Sequence, residues 1–281
     1  MGTPSEPHPL HNLLLRVAYD GTDFYGWQVQ PERPTIQGAL TAAIAAVCGE
    51  TTHVCGAGRT DAGVHAEEQA THVKLRSPIP CANVARAIND HLPESIRVLS
   101  AQEAPLEFHA RRDARSKMYR YRIYRGAVCP PSLARYVFPY PYPLDEAAMT
   151  EAARFFEGTW DFRAFASTDA SSAEQERSTI RTVFSSRLER QGEELRYTVE
   201  GNGFLYHMVR NIVGTLFEVG RHRIEPAAIR EVLASGKGLA PGSTAPARGL
   251  HLVRVAYRGR GTASAPLDMR KQPGTIEGQA G

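Results

Sequence analysis

The chain has 281 residues, 42% hydrophobic and 22% charged, enough to bury a core in one large domain or two of ordinary size. The net charge of +3 hides a bias: of 33 basic residues 4 are lysine, leaving 29 arginines, whose planar fork suits phosphates and flat rings. No apolar run approaches a membrane span, residues 1–12 lack the apolar stretch of a signal peptide, and Cys48, Cys55, Cys81 and Cys129 form no CxxC pair. These features leave no candidate membrane-spanning helix, and they lead us to expect free thiols in a reducing cytoplasm.

Residues 1–11 and 259–281 are poor in large apolar side chains and read as disordered tails. Between them the apolar period alternates between that of a strand and that of a helix. Leu13, Leu15, Val17 and Tyr19 mark a strand over 13–20. Thr35 then caps a helix carrying Ile36, Leu40, Ile44 and Val47, which Gly49 ends. A second strand is expected over 69–75, a helix over 83–91 closed by Pro93, and a short strand over 96–100.

A similar order follows. Residues 116–124 read as a strand, and Asp145 caps a helix through Met149, Ala152, Ala153 and Phe156. Residues 180–190 and 194–200 form a hairpin about Gln191 and Gly192. A strongly amphipathic helix spans 205–219, Pro226 starts another, and 250–257 is a closing strand. The hairpin and the short connections favour mixed, mainly antiparallel sheets over a doubly wound one. The expected class is α+β: two α/β halves, 12–108 and 109–258, each a sheet with helices on one face.

Three stretches carry chemistry. Gly58 to His65 places one carboxylate, Asp61, in a glycine-flanked turn two residues after Arg59; glycines at 56, 58 and 63 suggest a shaped loop. Alone, such an aspartate is ordinary turn chemistry. Residues 111–125, RRDARSKMYRYRIYR, hold seven basic residues, one acid and three tyrosines. On a strand Tyr119, Tyr121 and Ile123 share one face. Alternating arginine and aromatic side chains suit phosphate neutralisation and base stacking, with Arg111, Arg112 and Arg115 leading in. Arg210 and Asn211 interrupt an apolar helix, so Arg210 must reach water or find a carboxylate, and Asp61 is a candidate partner.

Cys48, His53, Cys55 and His65 match no common zinc spacing, so no metal site is expected. No Walker A pattern occurs, and Asp61 stands where a dinucleotide fingerprint needs its third glycine.

Five ordered motifs, YDGTDFYGWQVQ, GRTDAGVHA, RSKMYRYRIY, YHMVRNIVG and GLHLVRVAY, make residues 12–258 resemble the tRNA pseudouridine synthase A family. The resemblance implies a pseudouridine synthase fold of two α/β domains with a shared antiparallel sheet, a homodimer, tRNA as partner, no cofactor, and isomerisation of uridines around positions 38 to 40 of the anticodon stem-loop. It assigns Asp61 as the catalytic aspartate, Tyr119 as the tyrosine that stacks on the target base and Arg210 as the partner of the aspartate. By the same resemblance Arg59 matches the basic residue that fills the space left by the flipped nucleotide. His251 departs from the family, which more often has Tyr there, and this bears on contacts around Leu250, a candidate substrate contact, and Leu252.

The residues suit that reaction. Moving uracil from N1 to C5 involves no redox change, so one carboxylate suffices; a tyrosine can hold the detached ring and relay a proton, and a guanidinium favours a charged carboxylate. Two other readings stand beside it. A non-catalytic RNA-binding module leaves Asp61 unexplained at the centre of an RNA-facing loop. A glycoside-type hydrolase needs a second carboxylate, for which Asp20 and Asp23 are the candidates.

Overall fold

The computed structural model describes residues 8–167, 178–236 and 242–258. Most of both expected tails, residues 1–7 and 259–281, lies outside that set. In chain order the elements are β1 (His11–Tyr19), α1 (Ile36–Cys48), β2 (Cys55–Gly56), β3 (His65–Leu75), α2 (Cys81–Asn89), β4 (Ile96–Ala104), β5 (Ala114–Tyr124) and α3 (Pro131–Ala134). Then follow β6 (Phe138–Pro139), α4 (Glu146–Arg154), β7 (Gly158–Asp161), β8 (Ile180–Gln191), β9 (Glu194–Gly201), α5 (Met208–Gly220), α6 (Pro226–Ser235) and β10 (Leu250–Tyr257).

Local chemistry sets the helix ends. The Thr35 side chain accepts the Gly38 N–H, and Gly49 ends α1 in the left-handed region at φ 69°. Asp145 accepts the Ala148 N–H at the head of α4. Each such cap contributes about 1 kcal/mol. Pro226 sits in the first turn of α6, where its missing N–H costs no hydrogen bond.

The fold is α+β and mainly antiparallel, as expected, and the strands join into one ten-stranded sheet, as the resemblance implies, in the order β4-β1-β3-β10-β5-β9-β8-β7, with β2 beside β3 and β6 beside β5. The join is made by the last strand. On one edge β10 runs parallel to β3 through His251↔His65 and Leu252↔Ala66, and on the other it runs antiparallel to β5 from Leu250↔Tyr121 to Tyr257↔Ala114. Its alternating sequence identifies a strand; only the tertiary fold gives it these neighbours. No helix among the described residues is long and apolar enough to cross a membrane.

Two boundaries differ from expectation in ways that matter for function. β3 starts at His65, four residues early, so it leaves directly from the Asp61 turn. α5 starts at Met208 rather than 205, because His207 adopts a left-handed conformation, φ 59°, and breaks the helical path. Leu205, Tyr206 and His207 therefore form a lead-in to the helix instead of its first turn.

The polar residues of α5 are tied to the strap that precedes β10. Asn211 donates to the Phe165 carbonyl at 2.8 Å and accepts from the Thr244 hydroxyl at 2.7 Å. Gly214 lets the strap cross at backbone contact: a Cβ there would lie 1.9 Å from the Ser243 carbonyl oxygen. Backbone cannot yield as a flexible side chain can. Gly214→Ala is thus expected to destabilise the fold by about 1–3 kcal/mol in urea unfolding, with the slope m unchanged. A midpoint equal to wild type would show that the strap moves freely.

Candidate active site

The loop carrying Asp61 is fixed from several sides. Trp27 N–H donates to the Thr60 carbonyl at 2.9 Å, and the Tyr19 and Thr60 hydroxyls bond at 2.8 Å. Gln69 Nε2 donates to the Gly58 carbonyl at 2.8 Å, and Val64 N–H closes the turn onto the Asp61 carbonyl at 3.1 Å. The opening motif exists to receive this loop. Gly26, at φ 85°, brings its backbone against Thr60, where a Cβ would sit 2.6 Å from the carbonyl oxygen. Of the three glycines singled out within the loop, only Gly63 has positive φ, 77°. Gly56 is instead small because the buried Trp27 ring lies against it.

Asp61 opens onto a cleft of about 670 Å³. The cleft brings together six of the eight residues selected from sequence: Arg59, Asp61, Arg111, Tyr119, Arg210 and Leu250. Arg112 and Arg115 are exposed and do not line it. Arg210 Nη1 donates to Asp61 Oδ2 at 2.9 Å while its Nε donates to the Ala245 carbonyl at 2.7 Å, so the two arms of one guanidinium link the loop to the strap. Asp61 and Arg210 side chains are 22% and 15% exposed, a partly desolvated pair open on the cleft side.

His207 completes the group and was missed in the sequence. Its Nε2 lies 3.3 Å from the same Asp61 oxygen, and its Nδ1 lies 3.1 Å from the Ser167 hydroxyl. The spacing of three residues from Arg210 was visible, but the left-handed turn that aims the ring was not. Tyr206 stacks on His207 at 3.8 Å between centroids and is itself 45% exposed.

Tyr119 forms the floor. It is buried, edge-on to Phe204 at 5.1 Å. Burial, reinforced by Tyr19 and by the charge of Asp61, pushes its hydroxyl well above the usual tyrosine range. The group is therefore a phenol at neutral pH, able to donate a hydrogen bond.

Asp61 is the only acid among the described residues that line this cleft. Asp20 and Asp23 belong to a different surface. Asp20 lies 3.2 Å from His65 Nδ1, accepts from the Tyr136 hydroxyl at 3.1 Å, and pairs with Arg135, which also binds Asp23. His251 lies beside them, stacked on His65 at 4.8 Å with Nε2 2.8 Å from the Tyr136 carbonyl. The departure from the usual Tyr thus concerns this second surface, while Leu250 faces the cleft.

Cys48, His53, Cys55 and His65 do not converge, but Cys55, His72 and His109 do, with donor atoms within 4.8 Å of one another. Hydrogen bonding argues for a brace rather than a metal site. His72 Nδ1 accepts the Ala110 N–H at 3.1 Å, and His109 Nδ1 accepts the Arg111 N–H at 3.2 Å. Neutral rings that accept at Nδ1 carry their proton at Nε2, so Nε2 offers no lone pair. Burial, with His109 and Lys74 nearby, pushes His72 down to about 4, so it is neutral at pH 7.

A family profile for tRNA pseudouridine synthase matches residues 16–113 and 152–258. "tRNA pseudouridine synthase A" of Solibacter usitatus is 49% identical over 248 residues, 88% of this chain and all of that protein. The proteins of the same name from Brevibacillus brevis and Caldicellulosiruptor bescii are 44% and 41% identical over the same coverage. Among solved structures, a Cbf5-Nop10-Gar1 complex aligns at 13% identity and a TM-score of 0.31 over 85% of this chain and 56% of that one, too weak a likeness to decide anything. With the profile covering the Asp61 loop and the Arg210 helix, and the relatives aligning over 88% of this chain, the chain belongs to the tRNA pseudouridine synthase family.

Proposed function

We propose that this chain is an isomerase that converts uridine to pseudouridine in tRNA, acting on the anticodon stem-loop around positions 38 to 40. The observation that carries the reading is the one carboxylate among the described cleft residues, Asp61, held by Arg210 and His207 between aromatic and cationic groups. The reaction breaks N1–C1′, forms C5–C1′, releases the C5 proton and protonates N1. Atoms and electrons balance without an oxidant or co-reactant, so this donor set needs no cofactor. Asp61 supplies the anionic oxygen, Arg210 positions it, and Tyr119 stacks on the uracil while it turns. Arg59, exposed at the rim, occupies the gap left by the extruded nucleotide. Arg111, Arg112 and Arg115 follow the RNA backbone toward the cleft.

Two domains divided near residue 108, a homodimer contacting one tRNA with both protomers, and a reducing cytoplasm belong to the same proposal. The family resemblance supports the first two, and four free cysteines fit the third. That Asp61 is the one acid among the described residues lining the cleft disfavours a glycoside-type hydrolase, which usually uses two.

Release of tritium from tRNA labelled at uridine C5 tests the reading. Isomerisation sends the label to water, binding alone releases nothing, and hydrolysis liberates free uracil. Either of the last two results would overturn the proposal.

Tyr119 separates stacking from proton transfer. Tyr119→Phe keeps the ring against Phe204 but loses the phenol, so tRNA affinity is expected to hold while turnover falls at least tenfold. Tyr119→Ala should lose affinity as well, because base stacking contributes about 1–3 kcal/mol. Equal turnover of the Phe variant and wild type would leave stacking as the only role.

A further inference from the structure

Lys117 shares a strand face with Tyr119 and lines the cleft, one of four lysines in a chain that otherwise uses arginine. Its amine lies against Gly58, where an added Cβ would stand 3.3 Å from Nζ and 3.7 Å from the Tyr119 hydroxyl. The missing side chain at 58 thus leaves room for the ammonium between the Asp61 loop and the tyrosine floor. The residue is half-buried, and the wall around its amine strips part of the water from the charge. The charges it feels most strongly are themselves cationic, Arg111 and Arg181. Burial first, then these two guanidiniums, push Lys117 down to about 8. No carboxylate pairs with it among the described residues.

A buried ammonium normally has a counter-charge, because desolvation without one is costly. Here the free side of the amine is the cleft itself. An anion arriving there would supply what the fold leaves out, and Arg111 on the same wall would add a second cation. A compact ammonium suits a single phosphate oxygen, whereas a carboxylate or planar group would favour arginine. We propose that Lys117 is the anion subsite of the cleft, binding one backbone phosphodiester of the nucleotide that enters and so setting the depth at which its sugar meets Asp61. The proposal rests on reading the cleft as the entry site for an RNA nucleotide, and it adds a contact that Arg112 and Arg115 cannot make, since both lie outside the cleft.

The test is the salt dependence of tRNA binding by wild type, Lys117→Met and Lys117→Arg. Losing one neutralised phosphate of a single-stranded loop should flatten the slope of log affinity against log salt by about 0.7. Lys117→Met is expected to show that change with about tenfold weaker binding at low salt, and Lys117→Arg to restore both. A methylphosphonate scan of a stem-loop substrate uses the wild-type protein and so does not depend on variant folding. One neutral linkage beside the target uridine should reproduce the loss in wild type and cost Lys117→Met nothing further. A wild-type slope for Lys117→Met would overturn the subsite. So would a loss that arginine does not rescue and that no single linkage reproduces. These are binding measurements, so a wild-type protein that releases no tritium would end the isomerase reading while leaving the phosphate contact to stand or fall on the slope.

Discussion

Asp61→Asn is expected to abolish isomerisation while tRNA affinity stays within about tenfold, a change of about 1.4 kcal/mol. Asparagine preserves the shape of the side chain and can still accept from Arg210 through its amide oxygen. It cannot present an anionic oxygen, and its amide nitrogen would face Arg210 or His207 if the group turned over. No second acid lines the cleft among the described residues, so nothing nearby can substitute. Single-turnover tritium release against a binding isotherm separates the two effects. Turnover at a tenth of wild type or better would remove Asp61 as the essential group.

Arg210→Lys is expected to lower turnover by at least an order of magnitude with the fold intact. The guanidinium makes two directed bonds at once, Nη1 to Asp61 and Nε to the Ala245 carbonyl. A lysine retains the charge but delivers it from a single nitrogen on a flexible stem, so it can satisfy the loop or the strap and not hold both in register. The effect should fall on kcat more than on tRNA affinity, because the residue acts through Asp61 rather than on RNA. A thermal midpoint within a few degrees of wild type would show that the helix and strap persist. Turnover equal to wild type would mean that charge alone suffices and that the fork has no positioning role.

Much of this protein is written in local chemistry. Thr35, Gly49 and Asp145 mark helix ends through bonds between neighbours, and the two-residue period of residues 116–124 places Tyr119, Tyr121 and Ile123 on one face. Asp61, Tyr119 and Arg210 could be selected because their motifs are unusual in context: an acid in a glycine turn, a basic strand laced with tyrosine, a cation inside an apolar helix. The spacing of the glycines was legible too, but their reasons were not. Gly56 answers to a tryptophan 29 residues earlier and Gly214 to a carbonyl 29 residues later, and such contacts leave no local trace.

By itself, then, the sequence determined the longer elements and the α+β class, and it singled out Asp61, Tyr119 and Arg210, which the fold brings to one cleft, because capping, side-chain period and turn geometry act over a few residues. Tertiary structure alone decided that the last strand would join the sheet between β3 and β5 and carry Leu250 to the cleft. It also decided that α5 would begin late, so that His207 meets Asp61, and that Arg112 and Arg115 would stay outside while Lys117 was enclosed. Those outcomes depend on which surfaces meet across long stretches of chain, where burial and backbone approach are settled by the whole fold and no single segment encodes them.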